Sequence, residues 1–291
     1  YDLPMSELQT FRQLGSRTPG HPEYGLTPGI ETTTGPLGQG FANSVGMAIA
    51  ERWLAAHFNR DGHEIVDYRT FAMGGDGDMM EGVCSEAASL AAHLGLHKLL
   101  WIYDNNKITI EGKTSLAFSE DVGARFKAYG WFVQHVTDAN DLKALNRAIK
   151  RALKQTDKPS FIVLDSHIAF GAPTKQDTHG AHGEPLGEDE IRKTKERYGW
   201  PPDAKFLVPD EVAKHMHKQF RRGRKLEKEW QAKLDAFAQA HPALAAEWQQ
   251  IQNRELPAGW DKDIPVFPAD PKGLATRESN SKVLNAVAKN V

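Results

Sequence analysis

Cysteine is almost absent: Cys84 is the only one in 291 residues. A single thiol excludes an internal disulfide and any zinc centre built from several cysteines, and it fits a reducing, cytoplasmic compartment. No charge of either sign dominates, since 36 Lys and Arg stand against 38 Asp and Glu for a formal net charge of -2. A nucleic-acid binder would lean basic, so no nucleic-acid partner is expected. Long hydrophobic runs are also missing. The longest is far too short to cross a bilayer, and no membrane partner is expected. No signal peptide is visible. The chain starts at Tyr1 without a methionine and ends in the amphipathic "SKVLNAVAKNV", and both ends are expected to be cuts in a longer protein.

At 40% hydrophobic residues the chain can bury a sizeable core, in one large domain or two. Residues 1–37 are loop-rich, with Pro and Gly clustered in "SRTPGHPEYGLTPGIETTTGPLG". The spacing of Ala and aliphatic residues predicts a buried helix over Gln39–Phe58. Strands are expected at 68–73, 98–103, 131–136 and 160–166, and helices at 79–95 and 141–155. This alternation argues for an α/β fold, a parallel sheet flanked by helices. The α/β domain is expected to occupy 1–200. A charged helical extension follows at 201–254, a Pro-containing linker at 255–273, and the start of a truncated further domain at 274–291. The basic run "RRGRK" at 221–225 reads as a solvated helix face.

The stretch "TFAMGGDGDMMEG" at 70–82 runs a strand into glycines and an aspartate before a helix. In an open α/β sheet, ligands sit outside the carboxyl ends of the strands. Asp76 lies just past one strand end, and Asn105 and Asn106 just past the next. Thirty positions separate Asp76 from Asn106, about one helix plus one strand, so both should reach the same edge of the sheet. Gly75 and Gly77 remove side chains that would block a close approach. A helix starting near Met79 would present free N–H groups to a phosphate. A carboxylate with a side-chain amide suits a hard cation such as Mg²⁺, with phosphate completing its shell.

An EF-hand fails because Glu81 and Ala87 stand where Gly and Glu are needed, and no Gly-Lys-Ser/Thr follows the glycines as a Walker A loop requires. A plain structural turn capped by Asp76 is the remaining alternative. "GPLGQG" at 35–40 is either a tight turn or a backbone contact to a flat ligand. Of twelve histidines, His21 in "TPGHPE" and His179 and His182 in "DTHGAHGEPLG" sit in Gly/Pro loops that can face a cleft. There they suit proton exchange or polar contact with a substrate better than zinc binding.

Taken together, "TPGHPE…ETTTGPLGQG", "GDGDMMEG", "YDNNKITIEG" and "THGAHGEPLG" resemble the transketolase family in order and approximate spacing, from about residue 8 to the end. The resemblance implies a thiamine diphosphate-binding domain over 1–200 and the beginning of a pyrimidine-binding domain after the linker. It implies that Asp76, Asn106 and the Ile108 carbonyl hold Mg²⁺ or another divalent cation such as Ca²⁺. Gly75, Gly77 and Asn106 would lie at the diphosphate, and Gly35, Pro36 and Leu37 at the aminopyrimidine. His182 and His21 would be the catalytic and sugar-contacting histidines, with His182 also at the cofactor. Glu81, first in the helix after the loop, would join a carboxylate network across a homodimer, and Arg277 would grip a substrate phosphate.

The implied reaction moves a two-carbon ketol unit between sugar phosphates of the pentose phosphate pathway. Two family histidines upstream of Tyr1, and the glutamate that activates the aminopyrimidine, have no counterpart here, so this chain alone is expected not to turn over. Dihydroxyacetone synthase, and a non-catalytic cofactor-binding subunit that needs a partner chain, are the alternatives.

Overall fold

The computed structural model describes residues 1–291, which form two compact units. The first comprises 1–56 and 67–218, the second 57–66 and 219–291. In the first, a short helix α1 (Met5–Gln9) lies within an otherwise irregular stretch, and α2 (Gln39–Phe58) follows over the predicted span. Next come β1 (Thr70–Gly75), α3 (Asp76–Met80), α4 (Gly82–His93), β2 (Leu99–Asn105), α5 (Val122–Tyr129), β3 (Phe132–Val136), α6 (Leu142–Ala152) and β4 (Ser160–Asp165). All strand pairs are parallel, in the order β1-β2-β4-β3.

That order explains which face each helix covers. The path from β1 to β2 and on to β3 runs one way across the sheet, whereas β3 to β4 turns back. With right-handed crossovers, the returning helix must lie on the opposite face. Two separate apolar clusters show this. Phe41, Ala88, Trp101, Phe126 and Phe161 from α2, α4, α5 and the sheet form one. Leu100, Ile162 and Leu164 meet Ala148 and Ala152 of α6 in the other. Alternation along β2 sends Trp101 and Tyr103 to the first cluster and Leu100 to the second. Strand β4 is buried on both faces from Ser160 to Leu164, as suits a strand with a neighbour on each side. Phe126 stacks on Phe161 with ring centroids 3.8 Å apart, which locks α5 to β4.

Two expectations are corrected. The single helix expected over 79–95 is two, and the first begins at Asp76 itself. They are separated at Glu81, whose backbone is extended (φ -79°, ψ 136°), so Glu81 closes α3 and caps the start of α4, where its carbonyl accepts from the Ser85 N–H. Helix α5 has no counterpart in the predicted elements. Its start is set by Asp121, whose carboxylate accepts from the Ala124 N–H at 2.8 Å, and its end by Gly130 at φ 101°.

The first unit also holds α7 (Glu188–Arg197), and α8 (Asp210–Ala240) begins in it. The second unit holds the remainder of α8 and α9 (Pro242–Gln252), whose Trp248 meets Phe58 edge to face at 5.1 Å. Trp230 Nε1 donates to the Ile65 carbonyl at 2.8 Å in the same unit. Helix α10 (Thr276–Val287) overlaps the first part of the amphipathic stretch 281–291 and begins five residues before it. No helix is long and apolar enough to cross a membrane.

Candidate functional site

Parallel pairing in register sets Gly75 opposite Asp104, so the chain leaves β1 and β2 at the same level. Asp76 follows immediately and is 3% exposed. Its Oδ1 accepts from the Tyr103 hydroxyl at 2.6 Å and its Oδ2 from the Lys107 N–H at 2.9 Å. The second bond exists because Lys107 adopts φ 63°, a left-handed conformation rare for a residue with a Cβ. Asn106, one position earlier, donates Nδ2 to Asp104 Oδ2 at 3.0 Å. A carboxylate only accepts, so this contact fixes the amide orientation. The Asn106 Oδ1 then accepts from the Ile108 N–H at 3.0 Å. Asp76, Asn106 and Ile108 are therefore neighbours in one loop system, as thirty-residue spacing requires.

The electrostatics of Asp76 are unusual. Burial raises its carboxyl above the ordinary 3.8, while hydrogen bonds from Tyr103 and Lys107 pull it back down. No Lys or Arg pairs with it. A buried carboxylate without a basic partner is costly and gains most from a bound cation. The chain has no cluster of three or more His, Cys, Asp and Glu side chains able to hold a metal. Any cation here would draw on one carboxylate, one amide oxygen and one carbonyl, leaving places for oxygens of a ligand. That donor set fits Mg²⁺ or Ca²⁺ with a diphosphate.

The glycine loops meet at Asp78, which the sequence reading passed over. Its Oδ1 accepts from Gly38 N–H at 2.8 Å and its Oδ2 from Gly75 N–H at 2.9 Å. One carboxylate thus joins "GPLGQG" to "GGDGD". A Cβ on Gly77 would lie 3.0 Å from Leu37 Cδ1, and one on Gly35 would lie 4.0 Å from His21 Nδ1. His21, Gly35, Leu37, Gly77 and Asp76 are therefore brought together from distant parts of the chain, with Pro36 between Gly35 and Leu37. Gly75 leaves its surroundings open, whereas at Gly74 a Cβ would sit 2.4 Å from Phe41. Gly74 is the glycine that internal packing demands.

The helix expected to begin near Met79 begins earlier. Helix α3 has five residues and ends at Met80, so its first turn is the Gly-Asp-Gly itself. His182 is exposed just after a short turn at His179–Ala181, and no hydrogen bond ties its ring to Asp76 or Asn106. Arg277 is exposed on α10, in the second unit. Two clefts flank the loop of β2. One of about 650 Å³ is lined by Asn106, Ile108, Asp165 and His167. The other, of about 530 Å³, is lined by Asp76, Tyr103, Lys127 and His135. Asn105 and Lys107 line both.

Comparison with known proteins gives the family. The family model described as "Transketolase, thiamine diphosphate binding domain" matches residues 1–257. A transketolase of Geobacillus stearothermophilus is 50% identical over 292 residues, covering 100% of this chain and 44% of the relative. Transketolase 2 of Escherichia coli is 47% identical, covering 98% of this chain and 43% of the relative. Among solved structures, a Leishmania mexicana transketolase superposes with a TM-score of 0.93 at 43% identity, over 100% of this chain and 43% of that one. A Pichia stipitis transketolase in complex with sedoheptulose 7-phosphate gives 0.92 at 45% identity, again over 100% and 43%. The chain thus spans less than half the length of the relatives it matches, and it belongs to the transketolase family as a bearer of its thiamine diphosphate binding domain.

Proposed function

We infer that this chain is the diphosphate- and cation-binding part of a transketolase, which transfers a two-carbon ketol unit from a ketose phosphate to an aldose phosphate. The observation that carries the reading is Asp76, a carboxylate buried at the end of β1 with no basic partner and with Asn106 beside it. Asp76, Asn106 Oδ1 and the Ile108 carbonyl would hold Mg²⁺ or another divalent cation, with Gly75 and Gly77 leaving room for the diphosphate. Gly35, Pro36 and Leu37 would offer backbone to the aminopyrimidine. Thiamine diphosphate, when bound, supplies the electron sink for carbon–carbon cleavage. The chain's own residues orient the sugar and move its protons. His21, beside the Gly35 loop, would hydrogen-bond a sugar hydroxyl, and His182 would exchange a proton with the substrate near neutral pH.

Arg277 would pair with the substrate phosphate through its planar guanidinium. On the same reading, 1–200 is the thiamine diphosphate domain, 201–254 its helical extension and 255–273 a linker. Residues 274–291 open the pyrimidine-binding domain. The protein would act as a cytoplasmic homodimer, with Glu81 in a carboxylate network between subunits.

A coupled assay tests the reading. The full-length protein encoded by its gene is expected to convert xylulose 5-phosphate with ribose 5-phosphate as acceptor, and the 291-residue chain alone is expected to be inactive. Turnover by the isolated chain, or preference for formaldehyde as acceptor, would overturn it.

A further inference from the structure

The Tyr103 hydroxyl that donates to Asp76 is itself the end of a row of hydrogen bonds crossing all four strands. From the edge strand β3, His135 Nε2 lies 2.8 Å from Asp165 Oδ2 at the end of β4. Asp165 Oδ1 accepts from Asn105 Nδ2 at 2.7 Å, at the end of β2. Asn105 Oδ1 lies 3.0 Å from the Tyr103 hydroxyl, which reaches Asp76 Oδ1 at 2.6 Å just past β1. Each link restricts the next. Because Asp165 only accepts, Asn105 must turn its Nδ2 toward it, leaving Oδ1 toward Tyr103. The Tyr103 hydroxyl therefore faces two acceptors and has a single proton, which goes to the shorter and charged one. The Tyr103 ring is held by burial at 3% exposure, stacked near Phe161 with centroids 6.0 Å apart.

We propose that Tyr103 is the positioning residue for the cation ligand Asp76, its one proton going to Asp76 Oδ1 in preference to the competing Asn105 Oδ1. The proposal rests on the reading of Asp76 as a cation ligand. Tyr103 engages Oδ1 and Lys107 N–H engages Oδ2, so the carboxylate is pinned at both oxygens. A carboxylate held in this manner pays no reorientation entropy when a cation arrives. Partners that orient a metal ligand from behind change metal affinity by roughly 10–100-fold when removed. Tyr103→Phe removes one oxygen and leaves the ring's packing intact.

The test is a Mn²⁺ titration of the full-length protein, followed by electron paramagnetic resonance with saturating thiamine diphosphate, on the unmodified protein and three variants. Asp76→Ala is expected to abolish tight Mn²⁺ binding. Tyr103→Phe is expected to weaken it by about tenfold or more. Its half-activating Mn²⁺ concentration should rise by the same factor, and kcat at saturating Mn²⁺ should be nearly unchanged. A purely structural role would lower the melting temperature and leave that concentration alone. Asn105→Ala keeps the Tyr103 ring and removes only the competing acceptor, and is expected to leave Mn²⁺ affinity within about twofold of the unmodified protein. Unchanged Mn²⁺ affinity in Tyr103→Phe, or a loss in Asn105→Ala as large as in Tyr103→Phe, with loss in Asp76→Ala, would overturn the positioning role and leave the cation site standing. Unchanged affinity in Asp76→Ala would bring down both.

Discussion

Asp76 is a carboxylate buried at the end of β1 without a basic partner, and its neighbours hold it through hydrogen bonds. Tyr103 and Lys107 each give it a donor, and Lys107 takes up a left-handed backbone to do so. The position of Asp76 and Asn106 was legible from residue types and spacing, because a βαβ unit brings successive strand ends together regardless of what packs beneath. Tyr103, Asp104 and Asp78 were not legible as site residues. Tyr103 reads as a strand residue because its ring belongs to the core, and only its hydroxyl reaches the site. Asp78 was hidden because its partners, Gly38 and Gly75, lie forty and three positions away.

The glycines separate in a similar way. Three glycines in "GGDG" look equivalent in sequence, yet only Gly74 meets the core, with Phe41 where its Cβ would be. Gly74→Ala is therefore expected to destabilise the fold by about 1–3 kcal/mol through overpacking, measured by urea denaturation. Gly75→Ala, with only Asp104 O at 4.0 Å from the added Cβ, should cost less. Equal losses at the two positions would contradict this assignment.

At the scale of elements, strong apolar runs such as "FIVLD" and "LLWIY" identified their strands within a residue or two, since burial on both faces leaves little room for polar residues. Helix α5 escaped because it is only eight residues long and includes Gly123 and Lys127, so its apolar stripe reduces to Val122 and Phe126. Its legible signals were the capping Asp121 and the closing Gly130. The loop from β4 to α7 is also tied down by one side chain. The Glu190 carboxylate accepts from Thr174 N–H at 2.7 Å, Thr174 hydroxyl at 2.9 Å and Lys175 N–H at 3.0 Å. Thr174 N–H chiefly, with the hydroxyl, Lys175 N–H and nearby Lys193, holds its carboxyl below the ordinary 4.5 against the opposing effect of burial.

A carboxyl lowered in the folded state stabilises above its unfolded value, and that contribution is lost as pH falls through the folded one. Protection of the Thr174 and Lys175 amides from hydrogen exchange should therefore hold at pH values above about 4.5 and fall away below it. In Glu190→Gln this acid step is expected to vanish, with both amides exchanging faster at neutral pH. Unaltered protection in that variant would show that the loop is held by other contacts.

For the whole molecule, the sheet order places the ends of β1 and β2 side by side, so chemistry collects at one edge of the first unit. The chain spans less than half the length of the transketolases it matches, so cation and diphosphate binding is separated from turnover in what it is expected to do alone. Binding is the part this chain's own residues should perform, and it is the central claim. The most direct measurement is isothermal titration calorimetry of thiamine diphosphate into the full-length protein, with Mg²⁺, with EDTA, and in Asp76→Ala with Mg²⁺. Saturable binding is expected with Mg²⁺, and its loss is expected both in EDTA and in the variant. Binding of equal strength in EDTA, or in Asp76→Ala, would contradict the claim.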